Sequence, residues 1–379
     1  MLSHLKVIVA IAAPLVIAAI ASPVLAQKDP TLLEFAGHEW RVEAKEASLV
    51  TYLGQPALKV HNGKVSAESA VFSDGVIEFD HGYVEQRIFT GVGWRSESDT
   101  RHEHMYVRGH LNNKPDALQY TPTENGLSAW QIFSDENAIA SVSENFDDWN
   151  HVKIVVEGDR ADIYFNSDTP SLHIPDLKTD IKEGYVSLNA FSLDDLPAYF
   201  ANLTIRPLAP GEHVVGQAKP AKEMPEGVIK QWAVSTPFAE QAVTVLSLKD
   251  ELTDNLTWRE LEVETNGISN LAKLNPRTSD ANTVFVRLKI DSDKAQMKEL
   301  DFGYSDRVRI YLNGKRIYAG NAGWLDRDYR FLGTVGFFDS VGLDLKRGDN
   351  ELLVAVSETF GGWAWAGALA DRSGIEFND

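Results

Sequence analysis

The chain of 379 residues contains no cysteine. Disulfide staples are excluded, so stability has to come from packing or from bound ions. Positive charge is also scarce: 36 Lys and Arg stand against 55 Asp and Glu, for a formal net charge of -19 and a pI near 4.9. Nucleic acid and anionic lipid both demand a cationic face, and neither is expected as a partner. After the first 26 residues no stretch is long and apolar enough to span a bilayer. No segment carries a sustained helical period. A Gly-rich phosphate loop, a Gly-x-Ser-x-Gly elbow and a His-Glu-x-x-His pair are all missing, so no organic cofactor is expected.

What is present begins with "MLSHLK", an apolar "VIVAIAAPLVIAAI" and small residues at Val24 and Ala26. That layout reads as a secretory signal over residues 1–26, cut between Ala26 and Gln27, and it predicts a periplasmic or secreted protein. No cysteine follows the small residues, which speaks against a lipid anchor. The remainder is too long for one ordinary core and fits two domains.

Residues 32 to 205 are nearly all strand signal. In "DGVIEFDHG" Val76, Glu78 and Asp80 alternate with Ile77 and Phe79, and "EHMYVRG", "WNHVKIVVEG" and "RADIYFN" follow with Gly, Asp and Asn between strands. "APGEHVVGQAKPAKEMPEG" has proline, glycine and no apolar repeat, and reads as a linker over 209–227. A second run of strands follows, with an Asn-Gly hairpin corner at Asn313 and Gly314 in "YLNGKRIY". The expected fold class is all-β: two tandem β-sandwich (jelly-roll) domains over 27–208 and 228–379.

The richest stretch is "RHEHMYVRGHLNNKPDALQY", residues 101–120. As a strand, "HEHMYVRG" puts His102, His104, Tyr106 and Arg108 on one face and Glu103, Met105 and Val107 on the other. The first face is what a concave sugar-binding sheet displays: a ring to stack on and a guanidinium that donates a fork of hydrogen bonds. It is equally what a plain solvated face displays. Two histidines on one side fall short of the three protein ligands a zinc centre needs. Acidic oxygen donors leave room for a structural calcium ion, although no loop has a calcium-binding pattern.

Glu78 and Asp80 share a strand face, and paired carboxylates are the machinery of glycoside hydrolysis. "EFD" resembles the start of the catalytic strand of laminarinase-type jelly-roll glycosidases. The final acid of their Glu-x-Asp-x-Glu pattern is replaced here by Gly82 or Tyr83, which leaves that mechanism unsupported. Asp116 and Glu124 are the other acids able to supply a partner.

More broadly, "FSDGVIEFD", "GVGWRSESDTRHEHMYVRGHLNNKPDALQY", "WNHVKIVVEGDRADIYFN" and "GYVSLNAF" resemble the laminin-G-like, concanavalin-type sandwich of exported bacterial proteins, over about 32–207. That family includes sugar-binding modules and enzymes attached to them. The resemblance implies a polar concave sheet around Glu78, Arg95, Tyr106, Arg108 and Asn112, bordered by a loop with Asp116, Gln119 and Tyr120, and with Trp130 nearby; His104 joins these as a candidate from its place on the polar strand face. In the second half, "YLNGK" and "LKRGDNELLVAV" resemble the galactose-binding-like jelly roll, which implies an accessory domain. Trp324, in a polar loop, is the candidate exposed platform there, whereas Trp363 and Trp365 in "GGWAWAG" are expected to fill a core or cement the domains together.

These readings predict an exported carbohydrate-binding protein of polysaccharide utilisation, with a poly- or oligosaccharide as partner. Two alternatives stay open. One is a glycan-cleaving enzyme, either a hydrolase using Glu78 and Asp80 or a lyase using His104 or Tyr106 with Arg108 neutralising a uronate. The other is a non-catalytic structural or interaction protein.

Overall fold

Alternation of apolar and polar residues decides the architecture, because a strand with one apolar face must bury it against another such face. The structure is a computed structural model that describes residues 31–135, 137–220, 222–324, 326 and 333–378. The segment expected to be a secretory signal, residues 1–26, lies outside the described residues.

The first sandwich opens with β1 (Thr31–Phe35), β2 (His38–Tyr52), β3 (Gln55–Phe72), β4 (Gly75–Gly82), β5 (Ile88–Ser98), β6 (Arg101–Arg108) and β7 (Leu118–Glu124). It continues with β8 (Leu127–Ser128), β9 (Ile139–Ala140), β10 (Asn150–Glu157), β11 (Arg160–Phe165), β12 (Leu172–Ile174), β13 (Gly184–Ser192) and β14 (Pro197–Arg206). All form one antiparallel sheet, ordered β12-β11-β10-β4-β14-β3-β13-β5-β6-β7-β8, which folds over itself. The fold-over is made by β3. Its residues 58–61 pair with β2 and β14, its residues 63–66 with β2 and β13, and at the change of partner Asn62 (φ 44°) and Gly63 (φ 151°) leave ordinary strand geometry. Glycine is required at 63, where an added Cβ would stand 2.9 Å from that of Ala44.

Both inner faces meet in one core. Leu58, Val60, Ile77, Phe79, Phe200, Val152 and Ile154 come from one layer, and Val65, Val92, Trp94, Met105, Leu188 and Tyr120 from the other. His81 of β4 reaches across this core to the Thr90 hydroxyl of β5, 2.9 Å away. The outer faces of β4 and β5 therefore point in opposite directions.

The second sandwich has β15 (Gln231–Ser235), β16 (Trp258–Glu262), β17 (Ser269–Asn270), β18 (Thr283–Ser292), β19 (Gln296–Ser305) and β20 (Arg307–Leu312). Then come β21 (Lys315–Asn321), β22 (Asp339–Leu345), β23 (Gly348–Ser357), β24 (Ala364–Ala368) and β25 (Ile375–Asn378). A seven-stranded sheet, β16-β15-β18-β23-β20-β21 with β25 on β18, packs on the four-stranded sheet β17-β24-β19-β22. The expected hairpin is there, with Asn313 at φ 50° and Gly314 at φ 75° between β20 and β21.

The two sandwiches are joined through β24. Trp363 and Trp365 enter the second core, while Ala364 and Ala366 pack into the first together with Ile268 and Val335. The segment expected as a linker is held against the first sandwich around residues 214–216. Val215 N and Gly216 N donate to Asp162 Oδ2 at 2.7 and 2.9 Å, and Val214 covers Val76 and Val155 on the outside of the first sandwich. Among the described residues no helix is long and apolar enough to cross a membrane.

Candidate functional site

Cross-strand register assembles one outer face. Gly93, Gly91 and Phe89 of β5 lie opposite His104, Tyr106 and Arg108 of β6, and opposite Ser187, Asn189 and Phe191 of β13. Glycines at 91 and 93 leave the middle strand bare, and an added Cβ at Gly93 would stand only 2.6 Å from Ser187 Oγ and 3.2 Å from His102 Cδ2. Side chains from both neighbouring strands thus lean over the bare strand.

A file of rings crosses this face. His102 and His104 lie 5.9 Å apart, His104 stacks near Tyr106 at 5.4 Å, and Tyr106, Phe89 and Phe191 follow at 6.2 and 6.4 Å. Phe191 is 48% exposed. His104 Nε2 meets Asn189 Oδ1 at 2.8 Å. Burial pushes the His104 imidazole down to about 4 and that of His102 to about 3. Both rings are neutral near pH 7, able to donate from one nitrogen and accept at the other.

At the end of the file His110 lies edge-on to Phe89 at 5.4 Å, and its Nδ1 is buried without a partner. Burial depresses its pKa, with Arg87 and Arg108 acting the same way and Asp116 and Asp194 opposing. This rim therefore carries charges of both signs, Arg87 and Arg108 with Asp116 and Asp194.

Of the residues the sequence pointed to, His104, Tyr106, Arg108, Asp116 and Gln119 are brought together, but most of their polar atoms are engaged. Arg108 is 5% exposed. It donates to the Tyr106 hydroxyl at 2.7 Å, to Gln119 Oε1 and to the Asp116 carbonyl at 2.5 Å, and Asp116 Oδ2 lies 3.6 Å away. Tyr106 donates onward to Gln119 Oε1 at 2.8 Å, and the Gln119 amide is tied to the carbonyls of Trp130 and Phe133. Arg108 is thus a buried clamp rather than a free fork, which corrects the expectation that it greets a ligand. Tyr106 is buried as well, and that burial raises its phenol above its ordinary pKa.

Other expected members lie elsewhere. Glu78 and Asp80 point out from the opposite layer. Both contact one imidazole, His151, whose Nε2 is 3.1 Å from Glu78 and Nδ1 3.0 Å from Asp80, and Asn202 donates to Asp80 at 2.6 Å. They sit side by side on one strand and do not face each other across a cleft. Arg95 is 2% exposed and φ-positive (47°), in the register shift after Trp94, and it is held by Asp74 and the carbonyls of Ser73 and Gly158. Asn112 spends both ends of its amide on the Glu144 backbone. Tyr120 is a core residue of β7, not a loop residue, and donates to buried Glu103. Trp130 meets Phe360 of the second sandwich edge-on at the junction.

Another cleft, of about 630 Å³, is lined by Val84, Glu85, Gln86 and residues 144–148. Burial raises the Glu144 carboxyl to about 7, with Glu85 adding to the shift, and Tyr83 donates to it at 2.5 Å. Its Oε1 is buried without a hydrogen-bond partner. Among the described residues no cluster of three or more His, Asp or Glu side chains is placed to hold a metal ion.

Phe89, Asn189, Phe191, Arg87 and His110 were missed as site residues. The alternation in "SLNAFS" was the available signal, since it puts Asn189 and Phe191 on one face.

No protein-family model and no curated protein matches the chain. Solved structures with a similar fold include carbohydrate-binding module CBM66 from Bacillus subtilis, at 19% identity over 47% of this chain and 91% of its own, with a TM-score of 0.32. A Bacillus subtilis protein of unknown function with a galectin-like fold covers 44% of this chain and 88% of its own at 11% identity and TM-score 0.34. A Bacillus licheniformis β-glucanase covers 44% and 84% at 11% identity and TM-score 0.31. These are likenesses of fold, each to under half of this chain.

Proposed function

We propose that the protein is exported and carbohydrate-associated, and that it holds a neutral oligosaccharide against the outer face of the β13-β5-β6-β7 layer, at the end where Phe89, Phe191 and His110 meet. The observation that carries this reading is the file of rings ending in exposed Phe191, beside Asn189 and a neutral His104. A sugar presents apolar C–H patches and hydroxyls, and aromatic faces beside neutral donors and acceptors match both. Arg108 is spent on Gln119, Tyr106 and the Asp116 carbonyl, so it is not the cation that would meet a uronate. Binding is favoured over hydrolysis because Glu78 and Asp80 share one imidazole on the far layer.

The test is calorimetric titration of the full chain with β-glucan, mannan and polygalacturonate oligosaccharides. A neutral sugar should bind, and Phe191→Ala should weaken it at least tenfold with the melting temperature unchanged. Preference for polygalacturonate, or no binding by the unmodified protein on a wide neutral panel, would sink the reading.

A further inference from the structure

The rim around His110 is not bounded by the first sandwich alone. Arg87, which precedes β5, accepts a hydrogen bond on its carbonyl from Ser192 Oγ at 3.0 Å, next to Phe191. Its guanidinium lies 5.6 Å from the ring centroid of Trp324, a residue of the second sandwich that is 48% exposed. Further along the same connection, an added Cβ at Gly333 would stand 4.0 Å from Asp116 Oδ2. Ser134 Oγ then donates to Thr334 Oγ1 at 3.0 Å, and Val335 N to the Gln131 carbonyl at 3.0 Å. Trp324 thus meets the first sandwich at Arg87, and Thr334 and Val335 meet it at Ser134 and Gln131. Half of a large indole is left in solvent beside Arg87.

We propose that the site is composite: Trp324 of the second sandwich forms a wall of the rim, and a bound neutral oligosaccharide contacts both Phe191 and Trp324. Arg87 acts as a positioning residue, setting the indole plane by a cation–π contact while its backbone is fixed to the Phe191 strand. The proposal rests on the reading above of a sugar site at this rim. It assigns the second sandwich a direct share in recognition, where its turn and core residues alone would make it a scaffold. Two aromatic faces from two sandwiches also imply a ligand longer than a single ring.

Full-length protein, Trp324→Ala and Arg87→Ala are titrated with the neutral oligosaccharide that the unmodified chain binds, at increasing chain lengths, and each is melted in parallel. Trp324→Ala should weaken binding at least fivefold, with a larger loss for longer oligosaccharides and a melting temperature unchanged. Arg87→Ala should weaken it less, with the same length dependence. Unchanged affinity in Trp324→Ala overturns the composite site and leaves the sugar-binding reading standing. An unmodified chain that binds no neutral sugar overturns both. Because Trp324 is exposed in the free protein, a variant that loses its fold would contradict the placement itself.

Discussion

At the residue scale, the fate of Arg108 shows how a polar pattern divides between structure and function. Its guanidinium is buried with three hydrogen-bond acceptors and one nearby carboxylate, so truncation leaves Gln119 Oε1, the Asp116 carbonyl and the Tyr106 hydroxyl short of partners. Breaking such a buried charged network costs about 3 kcal/mol or more. Arg108→Ala should therefore lower the melting temperature clearly, which differential scanning fluorimetry will show; an unchanged melt would mean that the clamp is not formed. Histidines supply the pH dependence. An unfolded histidine takes its proton near pH 6.5, roughly, but burial delays this in the folded chain to about 4 at His104 and about 3 at His102 and His81. Above pH 6.5 these groups cost nothing. As the pH falls from there toward 4 the unfolded chain binds more protons, and each such histidine withdraws stability. The raised carboxyl of Glu144 acts in the opposite sense, so the contribution has to be read by difference. His104→Asn should flatten the fall of stability between pH 6.5 and 4 by up to roughly 1.4 kcal/mol per pH unit; parallel wild-type and variant curves would refute a buried neutral His104.

At the scale of elements, alternation was legible and depth was not. "HEHMYVRG" split correctly into Met105 and Val107 inside and His104, Tyr106 and Arg108 outside, because period two follows from strand geometry alone. That the outer set would be covered and mutually bonded depends on partners brought in from β7 and residues 129–133, which no local pattern announces. Asp116, Gln119 and Tyr120 were expected on a loop, but Leu118–Glu124 is a strand with Pro122 in its interior. It is accommodated where neither β8, paired at 123–124, nor β9, paired at 118–119, calls on it. Once β7 is a strand, Tyr120 must point inward. The likeness of Glu78 to Tyr106 as outward polar residues hid the fold-over at Asn62 and Gly63 that sends them to opposite sides. By contrast "GGWAWAG" was read correctly as packing. Trp363 is fully buried and donates to the Val356 carbonyl at 3.1 Å. Trp363→Ala should destabilise the protein by about 3–5 kcal/mol in urea unfolding; a loss below about 1 kcal/mol would mean that the site collapses or was never filled.

At the scale of the whole molecule, β24 is shared between two cores, and Trp324 and Val335 meet the first sandwich at Arg87 and Gln131. The two sandwiches thereby become one support for a single rim. Amide chemical-shift mapping of the full chain during titration with a neutral β-glucan or mannan oligosaccharide tests this most directly. Shifts concentrated at Arg87, Phe89, Gly91, His110, Asn189, Phe191 and Trp324 are predicted. Shifts centred on Glu78, Asp80 and His151, or none on saturation with any neutral sugar, would contradict the account.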